Sequence, residues 1–226
     1  MNFDDFAEDY DSLLRENIGQ YGKDTSYYVE YKAEVMKRRA ENKTPLSILD
    51  FGCGVGRSIP FLQRFFPGSA IWGCDPSKES LSVAQRDNPT CSFFSFDEAP
   101  PRRFDLTLVS CVFHHVPPKG REKVLGVIKS LMSPGAELFV FEHNPYNPLT
   151  RRAVNACPFD KDAKLITLSD MKRLIFRSGL TILPARYTLF FPAALKSLRF
   201  LEPLLLWLPL GGQYMVHARH DVGRAG

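Results

Sequence analysis

The sequence predicts a doubly wound α/β fold with seven strands in a mostly parallel sheet. Short apolar runs alternate with amphipathic stretches along most of the chain, and the first run closes in a glycine-rich turn. No period of about 20–50 residues repeats, which excludes a solenoid or propeller. Strand and helix alternating at this spacing require parallel strands joined by crossovers, with helices on both faces of one sheet.

Ser47–Phe51 reads as a buried strand ahead of the turn. Arg57–Phe66 follows as a helix whose inner face is Ile59, Phe61, Leu62 and Phe65. Ala70–Cys74 is the second strand, and Ser77 stands where a helix cap belongs, ahead of Leu81 and Ala84. Cys91–Phe96 and Phe104–Ser110 are the third and fourth strands, and a helix follows from Lys119 to Met132. Ser133-Pro134-Gly135 has the backbone preferences of a turn and leads into a fifth strand, Ala136–Phe141. Beyond it the rhythm loosens, and residues 144–167, with Pro145, Pro148 and Pro158, read as irregular. A helix over Ser169–Arg177 stops at Gly179, Thr181–Phe191 is a sixth strand, and Gln213–His220 alternates as a seventh. Between those strands, Ala193–Leu208 places Leu195, Leu198, Leu201, Leu205 and Leu208 near one helical face, and Pro203 should kink or split that helix. Residues 1–46, rich in aromatics from Phe3 to Tyr31, form a helical arm expected to cover a ligand cleft. Residues 47–226 form the main domain, with 144–167 and 192–210 as insertions over its substrate side.

At 226 residues, 44% hydrophobic and 24% charged, the chain has the make-up of one folded domain with an appendage. A chain of this length buries well over half of its unfolded surface, so it needs no disulfide staples. Its 29 Lys and Arg against 25 Asp and Glu leave +4, too mild a charge to suggest a nucleic-acid partner. Five cysteines, at 53, 74, 91, 111 and 157, form no C-x-x-C pair. That scatter argues against a zinc ribbon or a secreted disulfide framework and points to a reducing cytoplasm. The start, Met1-Asn2-Phe3-Asp4-Asp5, lacks the basic residues and apolar core of a signal peptide. The longest apolar run, Pro203–Leu210, falls well short of the ~17 residues that a membrane span needs.

The informative segment is Leu49-Asp50-Phe51-Gly52-Cys53-Gly54-Val55-Gly56. In a doubly wound sheet the first strand–helix turn faces the ligand crevice, and glycines there let the backbone approach a ligand closely. A dinucleotide fingerprint would place its third glycine at position 57, where this chain has Arg57. No Gly-Lys-Ser/Thr follows, so a phosphate-binding P-loop fails too. A carboxylate at Asp50 would repel a pyrophosphate but suits a ligand bearing an ammonium and a sulfonium. Asp75 ends the second strand, where a carboxylate can accept hydrogen bonds from both hydroxyls of a ribose.

With these two acids and the G-x-G-x-G spacing, residues 45–143 resemble the class I S-adenosylmethionine (SAM) dependent methyltransferases. They look most like the small-molecule branch that includes ubiquinone- and menaquinone-type methylases. The resemblance implies a Rossmann-like sheet whose last strand is antiparallel, SAM as cofactor and S-adenosylhomocysteine as product. It assigns Asp50, Gly52, Cys53, Gly54 and Gly56 to the loop beside the methionine part of SAM. It assigns Asp75 to the ribose, with Pro76 and Ser77 flanking the adenine and Asp97 near the adenine amino group. The fourth strand with its terminal Ser110, and then Phe113-His114-His115-Val116, match the segments that follow in this branch. Tyr10 resembles a tyrosine that closes over the cofactor in many relatives.

Glu142 and His143 follow the fifth strand at the mouth of the same crevice. If the acceptor is a hydroxyl, His143, Glu142 and His115 are the candidate bases; an amine or an activated carbon needs positioning alone. His114, His115 and His143 could together suggest a metal, but no acidic cluster lies beside them in sequence, so no metal is expected. Residues 151–202 carry ten basic and four acidic side chains. The leucines and Trp207 of 193–208 can therefore be read in two ways: as a core-packed insertion, or as an interfacial element suited to a lipid-linked or long-chain acceptor. The competing functional classes are an NAD(P)-dependent oxidoreductase, against which Arg57 and Asp50 both speak, and a non-catalytic SAM-binding protein.

Overall fold

The computed structural model of the chain describes residues 26–98, 100 and 102–221. Strand β1 (Ser47–Phe51) is buried at every position, as a strand covered by helices on both faces must be. It lies within a seven-stranded sheet of order β3-β2-β1-β4-β5-β7-β6. The other strands are β2 (Ala70–Asp75), β3 (Ser92–Ser95), β4 (Phe104–Ser110), β5 (Met132–His143), β6 (Thr181–Thr188) and β7 (Gln213–Arg219). Strands β1 to β5 pair in parallel, and β7 runs antiparallel between β5 and β6. The order reverses between β1 and β4, which is where a doubly wound sheet opens its crevice, at the carboxyl ends of the strands. Those ends carry Asp50, Asp75, Ser110 and His143.

Among the described residues the α-helices are α1 (Ser26–Arg39), α2 (Ile59–Phe65), α3 (Lys78–Asp87), α4 (Arg121–Ser130), α5 (Pro148–Ala156), α6 (Leu168–Arg177) and α7 (Glu202–Leu205). Alternate strand residues feed two cores. On one face Ile48, Leu106, Phe139 and Phe141 meet Tyr27, Tyr31 and Met36 of α1 and Ile59 and Leu62 of α2. On the other, Leu49, Val109, Leu138 and Val140 meet Leu125 and Ile128 of α4 and Met171 and Ile175 of α6. Residues adjacent in sequence thus point to opposite layers, which a continuous apolar run conceals. The aromatic stripe of α1 is part of the core, with Tyr31 only 1% exposed.

Three stretches differ from the sequence expectation. β5 starts at Met132, before the expected turn, and the turn survives as an irregularity inside the strand, with Gly135 at φ +82° and a register shift opposite Phe104 and Leu106. Residues 148–156 form α5 rather than irregular chain. Pro148 there occupies the first turn, where a missing N–H is harmless, and the Asn147 side chain caps the helix by accepting the Thr150 N–H at 2.9 Å. The helix expected over 193–208 is split next to Pro203, as anticipated, but its first part is a 3-10 stretch, Ala193–Leu201, with a non-helical Leu195, and Pro203 lies in the first turn of the short α7 that follows.

Candidate active site

After β1 the chain turns at once. The amides of Gly52 and Cys53 both donate to the Cys74 carbonyl, at 2.8 and 3.0 Å, which pins the loop to the end of β2. Gly54 has φ +51°, and a Cβ there would meet nothing within 4 Å, so its backbone lies open to a ligand. Gly56, at φ +80°, is closed in: a Cβ would stand 2.9 Å from Asn88 Nδ2 and 3.1 Å from Ala84 Cβ. Gly56 therefore brings the loop onto α3, the close packing that a dinucleotide loop obtains one residue later.

Two acids brace this loop from beneath. Asp50 is 1% exposed and accepts the Ser58 hydroxyl. Burial, helped by the neighbouring Asp75 charge and opposed by the Ser58 hydrogen bond, raises its carboxyl to about 6. Asp75 Oδ2 accepts the Gly54 N–H at 2.8 Å, and Oδ1 accepts the Ser77 N–H at 3.0 Å. The cap of α3 is Ser77, whose hydroxyl accepts the Ser80 N–H at 3.0 Å, so capping and loop-bracing fall to different residues. Pro76 is exposed beside them. Phe96 stacks on Phe51 with ring centroids 4.7 Å apart, and Asp97, in the short 3-10 turn Phe96–Glu98, faces solvent.

A second polar group stands at the ends of β4 and β5. Lys32, buried on α1, donates from Nζ to Ser110 Oγ at 2.7 Å and to Cys111 Sγ at 3.5 Å. Cys111 sits at φ +60°, unusual for a residue with a side chain, and Gln213 Nε2 donates to its sulfur at 3.2 Å. Burial works to raise its thiol, but Lys32 and then His143 outweigh burial and hold it down at about 6. Glu142 is fully buried and spends both oxygens locally. Oε1 accepts the Phe113 N–H at 2.6 Å, and Oε2 lies 2.7 Å from His114 Nδ1. Asp160, from the 3-10 turn Pro158–Asp160, places Oδ1 3.3 Å from His114 Nε2 and 3.4 Å from His115 Nε2. Burial disfavours a charged His114, yet Glu142 and Asp160 prevail and raise it to about 10. His115 goes the other way, to about 4, through burial and the cationic His114 next to it. His143 completes the group, its ring 5.0 Å from that of His114.

The sequence profile of the family described as a methyltransferase domain matches residues 24–185. The chain belongs to that family. Among curated relatives, an uncharacterised methyltransferase of Bacillus cytotoxicus is 25% identical over 142 residues, covering 60% of this chain and 63% of the relative. The chain thus spans less than two thirds of the curated relatives it matches. Among solved structures, a SAM-dependent methyltransferase from Archaeoglobus fulgidus superimposes with a TM-score of 0.68 at 14% identity, covering 93% of this chain and 99% of that one. Magnesium protoporphyrin IX methyltransferase from Synechocystis, solved with bound SAM, gives 0.61 at 16% identity and covers 98% of each chain. The sheet order and the antiparallel β7 are those of the Rossmann-like methyltransferase fold.

Within this methyltransferase fold, the loop residues Asp50, Gly52, Cys53, Gly54 and Gly56 and the acid Asp75 gather at one end of the sheet, and Ser110 lies at the end of neighbouring β4. Tyr10 lies outside the described residues. Sequence reasoning passed over Lys32, Cys111 and Asp160. Lys32 was detectable as the lone cation inside an aromatic, core-facing stripe of α1. Asp160 gave no local signal, because only the tertiary fold brings it against His114 and His115. Together with Glu142, that contact corrects the expectation that no acidic cluster lies beside the histidines.

Proposed function

We propose that the chain is an enzyme that transfers the methyl group of SAM to a hydroxyl on a small molecule bearing an apolar tail. The observation that carries the cofactor half is the open Gly54 backbone set between Asp50 and Asp75. A ligand ammonium beside Asp50 would offset the isolation that holds this carboxyl at about 6. A ribose can share the Asp75 oxygens, because a carboxylate oxygen accepts more than one hydrogen bond. When bound, SAM supplies a methyl carbon made electrophilic by its sulfonium. The chain's task is then to hold the acceptor oxygen in line and to exclude water, a proximity effect of about several kcal/mol. His143, at the end of β5, is the group proposed to take the hydroxyl proton as the oxygen attacks. Glu142 is assigned to hold His114 rather than to act as a base, since both its oxygens are already engaged.

The apolar half of the proposal rests on the 193–210 segment. Leu195, Phe200, Leu204, Trp207 and Leu210 are all exposed there, and none of its leucines is buried. Tyr31 and Phe190 hold the segment through Glu202, and Glu34 holds it through Arg199. The exposed apolar side chains then suit peripheral contact with a lipid surface from which a long-chain acceptor could be drawn. No helix among the described residues is long and apolar enough to cross a membrane.

The test is methyl transfer from labelled SAM to two acceptors with the same phenolic head, one of which carries a long alkyl chain, alongside sedimentation with anionic liposomes. Faster turnover of the long-chain acceptor and co-sedimentation are expected. Binding of a nicotinamide coenzyme without SAM binding would overturn the cofactor half. Equal turnover with no co-sedimentation would overturn the apolar half.

A further inference from the structure

We infer that His114, His115 and Asp160 form a binding site for a zinc-type divalent cation, with Glu142 orienting His114. The three donor atoms lie within 4.8 Å of one another, and both histidine Nε2 atoms face the same Asp160 oxygen, at 3.3 and 3.4 Å. A tetrahedral centre with bonds of ~2.0–2.1 Å sets its ligand atoms about 3.3–3.4 Å apart. The spacing from Asp160 to each imidazole is therefore already that of a coordination shell.

The carboxylate behind His114 adds a second observation. Glu142 Oε2 takes the Nδ1 side of the ring at 2.7 Å. That fixes the ring's orientation and turns Nε2 toward Asp160, the carboxylate–histidine pairing that supports metal ligands. The cage is stiff as well. Arg121 Nε donates to the carbonyls of Phe113 and Val116, at 3.2 and 3.1 Å, and its guanidinium also bonds the Lys164 carbonyl. The Lys164 N–H donates to the His114 carbonyl at 2.7 Å. The loop after β4 and the segment holding Asp160 are thus tied together by one backbone bond and by the Arg121 side chain, neither of which depends on an ion.

Two buried carboxylates, Glu142 and Asp160, flank His114, and a dication that displaces the proton from His114 Nε2 would take over the charge balance from the imidazolium. Two imidazoles and one carboxylate select zinc, or a related first-row metal, over magnesium or calcium, which prefer all-oxygen shells. His115 keeps 23% of its side chain exposed, which leaves a side open for a water or an acceptor oxygen. A role for that open position in activating the acceptor rests on the hydroxyl-methylation reading; metal binding itself does not.

The experiment uses the full chain, stripped with a chelator and then titrated with Zn²⁺ by calorimetry and with Co²⁺ by visible spectroscopy. One ion per chain is expected, with intense cobalt d–d bands and no sulfur-to-metal charge-transfer band. His115→Ala and Asp160→Asn should each weaken binding by about 100-fold or more, and Glu142→Gln by about 10–100-fold. Circular dichroism and SAM affinity on the same samples report folding. Cys111→Ser should leave the cobalt spectrum unchanged. Sub-stoichiometric binding by the parent chain, or binding that persists in folded His115→Ala and Asp160→Asn, overturns the site. Zinc binding without SAM binding would uphold the site while overturning the methyltransferase reading, and the reverse result would overturn the site alone.

Discussion

Lys32 Nζ donates to Ser110 Oγ at 2.7 Å, joining a side chain of α1 to the last residue of β4. The same ammonium reaches Cys111 Sγ and is the chief force holding that thiol at about 6. Replacing Lys32→Met removes the cation and leaves burial to act. The Cys111 thiol should then titrate about one pH unit or more higher, followed by thiolate ultraviolet absorbance. Cys53, Cys74 and Cys91 are all pushed up by burial, and a Cys111→Ser control locates the early signal. An unchanged midpoint near 6 in the Lys32→Met protein would sink this account.

Asp50 carries a conflict between stability and binding. Its carboxyl stands at about 6 in the fold against an ordinary 3.8. An acid raised in this way increasingly destabilises the fold as pH rises from 3.8 to about 6, and the full cost, roughly 3 kcal/mol, is present at pH 7. Asp50→Asn should therefore melt at or above the parent temperature at pH 7, yet bind SAM at least about tenfold more weakly. In the parent, SAM affinity should fall as pH drops below about 6, where the carboxylate takes up its proton. Calorimetric titration between pH 5 and pH 8, with thermal melts of both proteins, checks both halves.

The two loop glycines should fail in different ways. Gly54→Ala adds a methyl group to open space, so stability should fall by only the ~1–2 kcal/mol of a left-handed non-glycine residue, with a modest drop in melting temperature, while SAM affinity drops. Gly56→Ala drives a methyl group against Asn88 and Ala84 and pays the same backbone strain, so its melting temperature should fall further. The reverse ranking in thermal melts would remove the distinction between ligand-facing and helix-facing glycine.

Glu137 ties the chain before β1 to the far side of the sheet. Its carboxylate lies 2.6 Å from His217 Nε2 and accepts the N–H groups of Asn42 and Glu41, at 2.9 and 3.0 Å. Burial tends to raise its pKa, but these partners hold it below the ordinary 4.5. A depressed carboxyl contributes its full stability above 4.5 and loses it as pH falls through the lower folded value. Glu137→Gln should cost about 2–4 kcal/mol at pH 7, and the gap from the parent should narrow below pH 4.5. Denaturant melts at pH 7 and pH 3.5 measure this gap, and one that is constant with pH would contradict the assignment.

Sequence periodicity alone determined the sheet and its crevice. The burial of strands on both faces writes itself as apolar runs, and the turn between β1 and α2 must be glycine where backbone meets ligand or helix. Asp50, Gly54 and Asp75 could be picked out as candidates because each lies within three residues of a strand end, and strand ends define the crevice. Local chemistry misled where one residue serves two purposes. Pro148 reads as a breaker but starts a helix, and the leucines of 193–208 read as one helical face but are spread over a 3-10 segment, α7 and the turn after it, with Leu195 exposed. What only the tertiary structure decided is the company each side chain keeps across long separations: Lys32 with Ser110 and Cys111, and Asp160 with His114 and His115. Such contacts arise from how helices and loops dock over the sheet. Charge and ligand geometry act through space, and sequence spacing holds no record of them.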